Sequence, residues 1–71
     1  MSKWPSSKAK HVLKALLRIG WSVKAHKGSS HLQLAHPTLP EYTWAFRDSD
    51  EIGPVMLSKI AKKTGLKPED L

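Results

Sequence analysis

The sequence predicts an α+β fold in which a three-stranded antiparallel sheet carries two helices on one face. Two amphipathic helical patterns lie towards the ends of the chain, and alternating strand patterns lie between them. The connections between the strands are short, which favours antiparallel pairing. Both helices must cover their apolar faces, so they share one face of the sheet and leave the other open. We expect residues 1–71 to form one α-β-β-β-α domain with a small core.

The first helix is predicted from residues 9–17, whose apolar positions follow i, i+3, i+4, i+7, i+8 spacing. Ser6 or Ser7 is expected to cap its N-terminus, and Gly20 to end it in a left-handed conformation. The opposite face carries Lys10, Lys14 and Arg18. Like charges four residues apart do not stabilise a helix, so this face is either simply solvated or contacts a partner.

Three strands are predicted next, at residues 21–26, 31–36 and 42–46. Gly28 permits a positive φ in the turn between the first two, and the prolines of residues 37–41 interrupt the ladder before the third. The aromatic residues of the third strand are expected on its buried face. The open face of the sheet is expected to carry Lys24, His26, His31, Gln33 and Thr43.

The second helix is predicted to begin at Pro54, after a polar loop at residues 47–53. Gly65 is expected to end it. Its buried face follows the helical spacing and consists of Met56, Leu57, Ile60, Ala61 and Thr64. Residues 66–71 are expected to add one further helical turn that packs back on the core.

The charge distribution points to a polyanionic partner. Twelve Lys and Arg residues oppose six Asp and Glu residues, which gives a net charge of +6. Seven of the basic residues precede Glu41, and no acidic residue does. Nucleic acid is the simplest partner for such a surface. A basic surface that serves only solubility is the alternative on charge alone.

Several protein classes are disfavoured by composition. The chain has no cysteine, which excludes disulfides and thiolate metal sites and suits a reducing cytosol. No apolar run approaches the ~20 residues of a membrane span, and no signal peptide is recognisable, so a cytoplasmic protein is expected. His26, His31 and His36 lack a further ligand at suitable spacing, so we expect no metal site and no cofactor.

One turn combines residues suited to phosphate chemistry. Gly28, Ser29 and Ser30 are expected to form a tight turn between Lys27 and His31. Histidine changes charge between about pH 5 and pH 8, so an exposed histidine can transfer protons near neutral pH. Backbone N–H groups of the turn can bind phosphate oxygens. Lys24, Lys27 and Arg47 are the candidate cations around such a site.

Five segments carry a resemblance to a known family. They are residues 16–21 (Leu-Leu-Arg-Ile-Gly-Trp), 27–34 (Lys-Gly-Ser-Ser-His-Leu-Gln-Leu), 50–52, 57–60 and 64–66. In this order and spacing they resemble the HicA (YcfA-like) family of small bacterial toxins over nearly the whole chain. The resemblance implies a fold like a double-stranded-RNA-binding domain. It also implies metal-independent cleavage of mRNA, with His31 as the catalytic residue and a HicB antitoxin as partner.

One position departs from the family pattern. Many members carry Pro-x-His after the third strand, and here residues 45–47 read Ala-Phe-Arg. The role of that second histidine is therefore absent or is taken by Arg47. Two other interpretations stay open: a small RNA-binding domain without catalysis, and an inactive HicA-like protein that only binds a partner. His26 is either a second acid or base or a surface residue.

Overall fold

The computed structural model describes residues 4–27 and 31–71 and has the predicted α+β architecture. Its elements in chain order are β1 (Ser7–Lys8), α1 (Ala9–Arg18), β2 (Ser22–His26), β3 (Leu32–Ala35), β4 (Tyr42–Trp44), β5 (Glu51–Ile52), α2 (Pro54–Thr64) and a 3₁₀ turn (Pro68–Asp70). Strands β2, β3 and β4 form an antiparallel sheet in that order. The α-β-β-β-α order predicted from the hydrophobic periodicity is therefore confirmed.

The core lies between the helices and one face of this sheet. Its largest fully buried side chains are Leu16 of α1, Leu34 of β3, Trp44 of β4 and Leu57 of α2. The Trp21 indole N–H donates to the Thr64 carbonyl at 3.0 Å, which joins the start of the sheet to the end of α2. A buried indole needs such a partner, because an unpaired N–H in the core is costly.

The N-terminus of α1 differs from the prediction. The helix begins at Ala9 after Lys8, and no serine side chain caps it. Ser7 instead pairs with Ile52 in a two-stranded ladder that the sequence pattern did not indicate. The amide of Ala9 donates to the Asp50 carbonyl at 2.8 Å, so the loop before β5 supplies an acceptor to the first turn of the helix.

The other helix boundaries lie at the glycine and proline residues that were predicted to mark them. Gly20 and Gly65 have positive φ values of 111° and 78°, as predicted for the residues that end the two helices. Pro54 occupies the first turn of α2. The prediction of a further turn is also confirmed, since residues 68–70 form a 3₁₀ turn and Leu66 is buried. Two helical residues expected in the core are more open: Leu17 is 43% exposed and Met56 is 40% exposed.

A β-bulge corrects the predicted faces of β2. Val23 pairs with Leu34 and Ala25 pairs with Gln33, so Lys24 is an extra residue in β2. The insertion shifts the alternation, and His26 pairs with Leu32, whose side chain packs against the core. His26 therefore does not lie on the open face with Gln33 and Thr43. His26 is exposed, and its partner in the ladder is Leu32.

The third strand is shorter than predicted. Strand β4 ends at Trp44, and the chain then turns through residues 47–50. The amide of Arg47 donates to the Asp50 carboxylate at 2.8 Å, and the amide of Asp50 donates to the Arg47 carbonyl at 2.9 Å. This local turn redirects the chain towards β5. Phe46 still packs on Trp44, with ring centroids 5.0 Å apart in an edge-to-face arrangement.

Candidate functional site

His31 lies at the end of the β2–β3 hairpin, directly before β3, and its side chain is exposed. Its carbonyl accepts a hydrogen bond from the Lys27 amide at 2.8 Å, which places the two residues opposite each other. Lys27 is exposed as well. The hairpin therefore presents an imidazole and an ammonium group to solvent at the same end of the sheet.

Three further candidate residues lie between Lys27 and His31 in the sequence. Gly28, Ser29 and Ser30 were predicted to bind phosphate oxygens through their backbone amides, and they lie outside the described residues. Their part in the site stays a prediction.

Lys24 is placed differently from the hairpin cations. Its ammonium group forms an ion pair with the Glu41 carboxylate on the open face of the sheet. Glu41 also accepts from the Gln33 amide at 2.9 Å, and the Thr43 hydroxyl donates to Gln33 at 2.9 Å. The hydrogen bonds from Lys24 and then Gln33 hold the pKa of Glu41 below its ordinary value of 4.5. The positive charge of Lys24 is therefore balanced locally by a carboxylate that the sequence analysis did not include.

Arg47 and His26 both line a groove on the helix side of the sheet. The groove has a volume of about 350 Å³, and its walls are Leu13, His26, Leu32, Trp44, Phe46, Arg47 and Asp48. Both His26 and Arg47 are exposed at its rim. Leu32, the residue after His31, forms part of the wall, so the groove begins next to the candidate catalytic residue. Sequence alternation did not indicate this groove, because the bulge at Lys24 brings His26 to it.

His36 has a structural role that the sequence did not reveal. The Thr38 amide donates to its Nδ1 at 3.2 Å, so Nδ1 acts as the acceptor. Its Nε2 then carries the hydrogen and contacts the Ile19 carbonyl at 3.3 Å. The ring also packs against Trp21, with centroids 5.1 Å apart. These contacts connect the end of α1 to the end of β3. His11, by contrast, lies exposed on α1.

Neither a metal-binding cluster nor a membrane-spanning helix occurs among the described residues. Within residues 4–27 and 31–71, no group of three or more His, Cys, Asp or Glu side chains is arranged to hold a metal ion. None of the helices described there is long and apolar enough to cross a membrane.

Comparison with known proteins gives a family match over most of the chain. A family model described as HicA toxin of bacterial toxin-antitoxin matches residues 9–66. The matched segment runs from the first residue of α1 to the buried Leu66 and includes the whole three-stranded sheet. No curated protein and no solved structure gives a significant match. The match covers most of the 71 residues, so the chain belongs to the HicA toxin family of bacterial toxin–antitoxin systems.

Proposed function

We propose that this toxin is an endoribonuclease that cleaves mRNA without a metal ion, and that His31 transfers the proton. One observation carries the proposal: His31 is exposed at the hairpin end opposite Lys27. An imidazole buried under the helices would have no access to RNA. Residues 1–71 act as a single domain in this proposal, and mRNA in the cytoplasm is the substrate.

The reaction uses the nucleophile that RNA itself carries. His31 accepts the proton of a ribose 2′-OH while the 2′ oxygen attacks the adjacent phosphorus. The bond from phosphorus to the 5′ oxygen breaks, and that oxygen takes a proton from water. The products are a 2′,3′-cyclic phosphate and a free 5′-OH. Proton transfer of this kind contributes about 10²–10⁴-fold to the rate.

Positive groups near His31 stabilise the additional charge on the phosphate as the 2′ oxygen attacks. Lys27 is one candidate, because it lies opposite His31 in the hairpin. Arg47 stands at the adjoining groove, and the amides of Gly28, Ser29 and Ser30 are the proposed neutral donors. Lys24 takes a smaller part, since Glu41 neutralises it.

The family works with an antitoxin, and we propose a HicB-type protein in this role. A partner that covers the hairpin end would block access of RNA to His31 and Lys27. Co-expression of the antitoxin would then relieve growth arrest that the toxin causes alone. No further cofactor enters the proposal.

The direct test compares the wild type with His31→Ala and His31→Gln. We expect RNA cleavage in the presence of a chelator to fall by about 10²–10⁴-fold in both variants, because each lacks a group that titrates near neutral pH. Growth arrest on expression should fall with it. His11→Ala is the matched control, because it removes another exposed histidine, from α1. Equal cleavage by the wild type and both His31 variants would rule out the mechanism.

A catalytically inactive RNA-binding domain is the alternative to a nuclease. Binding to duplex RNA through the start of α2 would need basic residues there. That turn begins with Pro54, Val55 and Met56, and the basic residues Lys62 and Lys63 lie in the last turn. The structure therefore gives this route little support. Tight binding to duplex RNA without any cleavage would favour the alternative.

A further inference from the structure

The groove beside the hairpin is suited to a planar ligand with a nearby negative charge. Its volume of about 350 Å³ lies at the small end of the ~300–1,000 Å³ range of ligand sites. Leu13 and Leu32 provide apolar walls, and half-buried Phe46 packs edge-to-face against the buried ring of Trp44. Two exposed cationic or titratable side chains, His26 and Arg47, stand at the rim. The combination of an apolar wall and a basic rim matches a nucleobase with its phosphate.

We propose that this groove binds one unpaired nucleobase of the RNA substrate, next to the nucleotide that is cleaved. The inference rests on the proposed function. In it, the base contacts Phe46 and the leucine side chains, and Arg47 contacts the phosphate of the same nucleotide. Bases that are splayed out of single-stranded RNA are commonly bound by aromatic side chains and arginine.

The position of the groove connects it to the candidate catalytic histidine. Leu32 lies in its wall, and Leu32 follows His31 directly in the chain. Leu32 also pairs with His26 on one neighbouring strand and with Trp44 on the other, and all three residues line the groove. A base held there brings the adjoining phosphodiester to the hairpin end. The site thereby selects single-stranded RNA, since a paired base cannot enter a groove.

Asp48 favours a base over a second phosphate in the groove. It is exposed, it lines the groove, and its negative charge repels an anion. Arg47 is adjacent in sequence and provides the attraction for the one phosphate that the nucleotide carries. The groove therefore attracts one phosphate at Arg47 and repels a second one at Asp48, which favours a single nucleotide in one orientation.

The test measures binding separately from cleavage. A short single-stranded RNA whose 2′-OH groups are methylated cannot supply the nucleophile, so its affinity reports binding alone. Phe46→Leu keeps apolar volume and removes the ring, and Arg47→Gln removes the rim cation. We expect each to weaken binding between about 5-fold and 100-fold, the range for loss of a base-stacking contact, with Arg47→Gln also reducing salt sensitivity.

The chain offers matched controls for both variants. Tyr42→Leu removes a half-buried ring from the same strand region, but Tyr42 does not line the groove. Arg18→Gln removes the other arginine, which lies at the end of α1. Both controls should bind the methylated RNA as the wild type does. A duplex of the same sequence should bind the wild type more weakly than the single strand.

The outcomes separate this inference from the proposed nuclease. If the groove variants lose affinity while wild-type protein cleaves no RNA, the groove assignment stands and the nuclease proposal fails. If the groove variants bind methylated RNA like the wild type, the assignment is overturned even when His31→Ala abolishes cleavage. Loss of antitoxin binding with unchanged RNA affinity would also overturn it, and would make the groove a protein contact.

Discussion

His31 and His36 stand at the two ends of β3 and meet different surroundings. His31 is exposed opposite Lys27, whereas both ring nitrogens of His36 contact backbone groups. Its Nδ1 accepts from the Thr38 amide, and that hydrogen bond fixes the tautomer. His36 therefore takes part in the packing of the fold, whereas His31 is exposed to solvent. The identity of a residue alone does not distinguish these two roles.

Gly20 leaves the space that the His36 ring occupies. Its φ of 111° disfavours any side chain, and a Cβ added there would lie 2.9 Å from the His36 Nε2. We expect Gly20→Ala to lower the free energy of unfolding by about 1–3 kcal/mol, because backbone strain and a steric clash act together. Urea denaturation followed by tryptophan fluorescence measures the change.

Gly65→Ala is the control for the strain alone. Gly65 also has a positive φ, of 78°, but an added Cβ there would have no neighbour within 4 Å. Its loss of stability should therefore be smaller than that of Gly20→Ala. Equal losses in the two variants would show that the contact with His36 has no energetic effect.

Side chains from three strands form one hydrogen-bonded row across the open face of the sheet. The row runs from Lys24 of β2 through Glu41 and Gln33 to Thr43 of β4. Because its members come from neighbouring strands, it supports the register of the sheet on the side that the helices do not cover. The pKa of Glu41 is lowered by the first two of these contacts, so the row is sensitive to acid.

Glu41→Gln tests this acid sensitivity. The folded state holds the pKa of Glu41 below 4.5, so the unfolded state binds the proton more readily. The stabilisation is therefore complete above about pH 4.5 and is lost as the pH falls through the lower, folded-state value. We expect the wild type to be more stable than Glu41→Gln at neutral pH, with the difference shrinking in acid. Urea denaturation at a series of pH values measures it.

Glu69→Gln provides the comparison, because it removes an exposed carboxylate from the 3₁₀ turn, away from the sheet. A chemical-shift titration of the Glu41 carboxyl carbon checks the direction of the pKa directly. A stability difference between the wild type and Glu41→Gln that stays constant from neutral to acid pH would contradict the assignment.

Elements with local signals were predictable from the sequence, and elements that depend on distant contacts were not. Pro54 and Gly65 mark the ends of α2 by their own backbone preferences. The bulge at Lys24 and the Ser7–Ile52 pairing have no comparable signal, because both depend on how separate parts of the chain align. The same distinction applies to the site. His31 follows from a local turn and the family resemblance, but the groove requires side chains from α1, β2, β3 and the loop after β4.

The molecule as a whole is flat, and its charge is unevenly distributed along the chain. Its extents are 35 × 27 × 17 Å, as expected for one sheet layer and one helix layer. The net charge of +6 makes RNA binding dependent on salt. Not every lysine contributes equally to that dependence, because Lys24 is paired with Glu41 and Lys8 lies 3.6 Å from Glu51.

The salt dependence of RNA binding distinguishes Lys24, which forms an ion pair with Glu41, from Lys27. For single strands, the logarithm of affinity falls with the logarithm of salt concentration by ~0.7 per phosphate contact. We expect Lys27→Gln to reduce this slope by about 0.7, and Lys24→Gln to reduce it by much less. Fluorescence anisotropy with the methylated RNA at several salt concentrations gives both slopes. Equal slopes for the two variants would show that Glu41 does not mask Lys24.

The extra residue in β2 decides which face of the sheet His26 occupies. Deletion of Lys24 would leave a regular ladder in which Ala25 still pairs with Gln33 and His26 still pairs with Leu32. Regular pairing with Lys24 retained would instead place Lys24 opposite Gln33 and Ala25 opposite Leu32, and His26 would move to the other face, away from the groove. The groove therefore tolerates the loss of the extra residue but not the loss of the bulge while that residue is present.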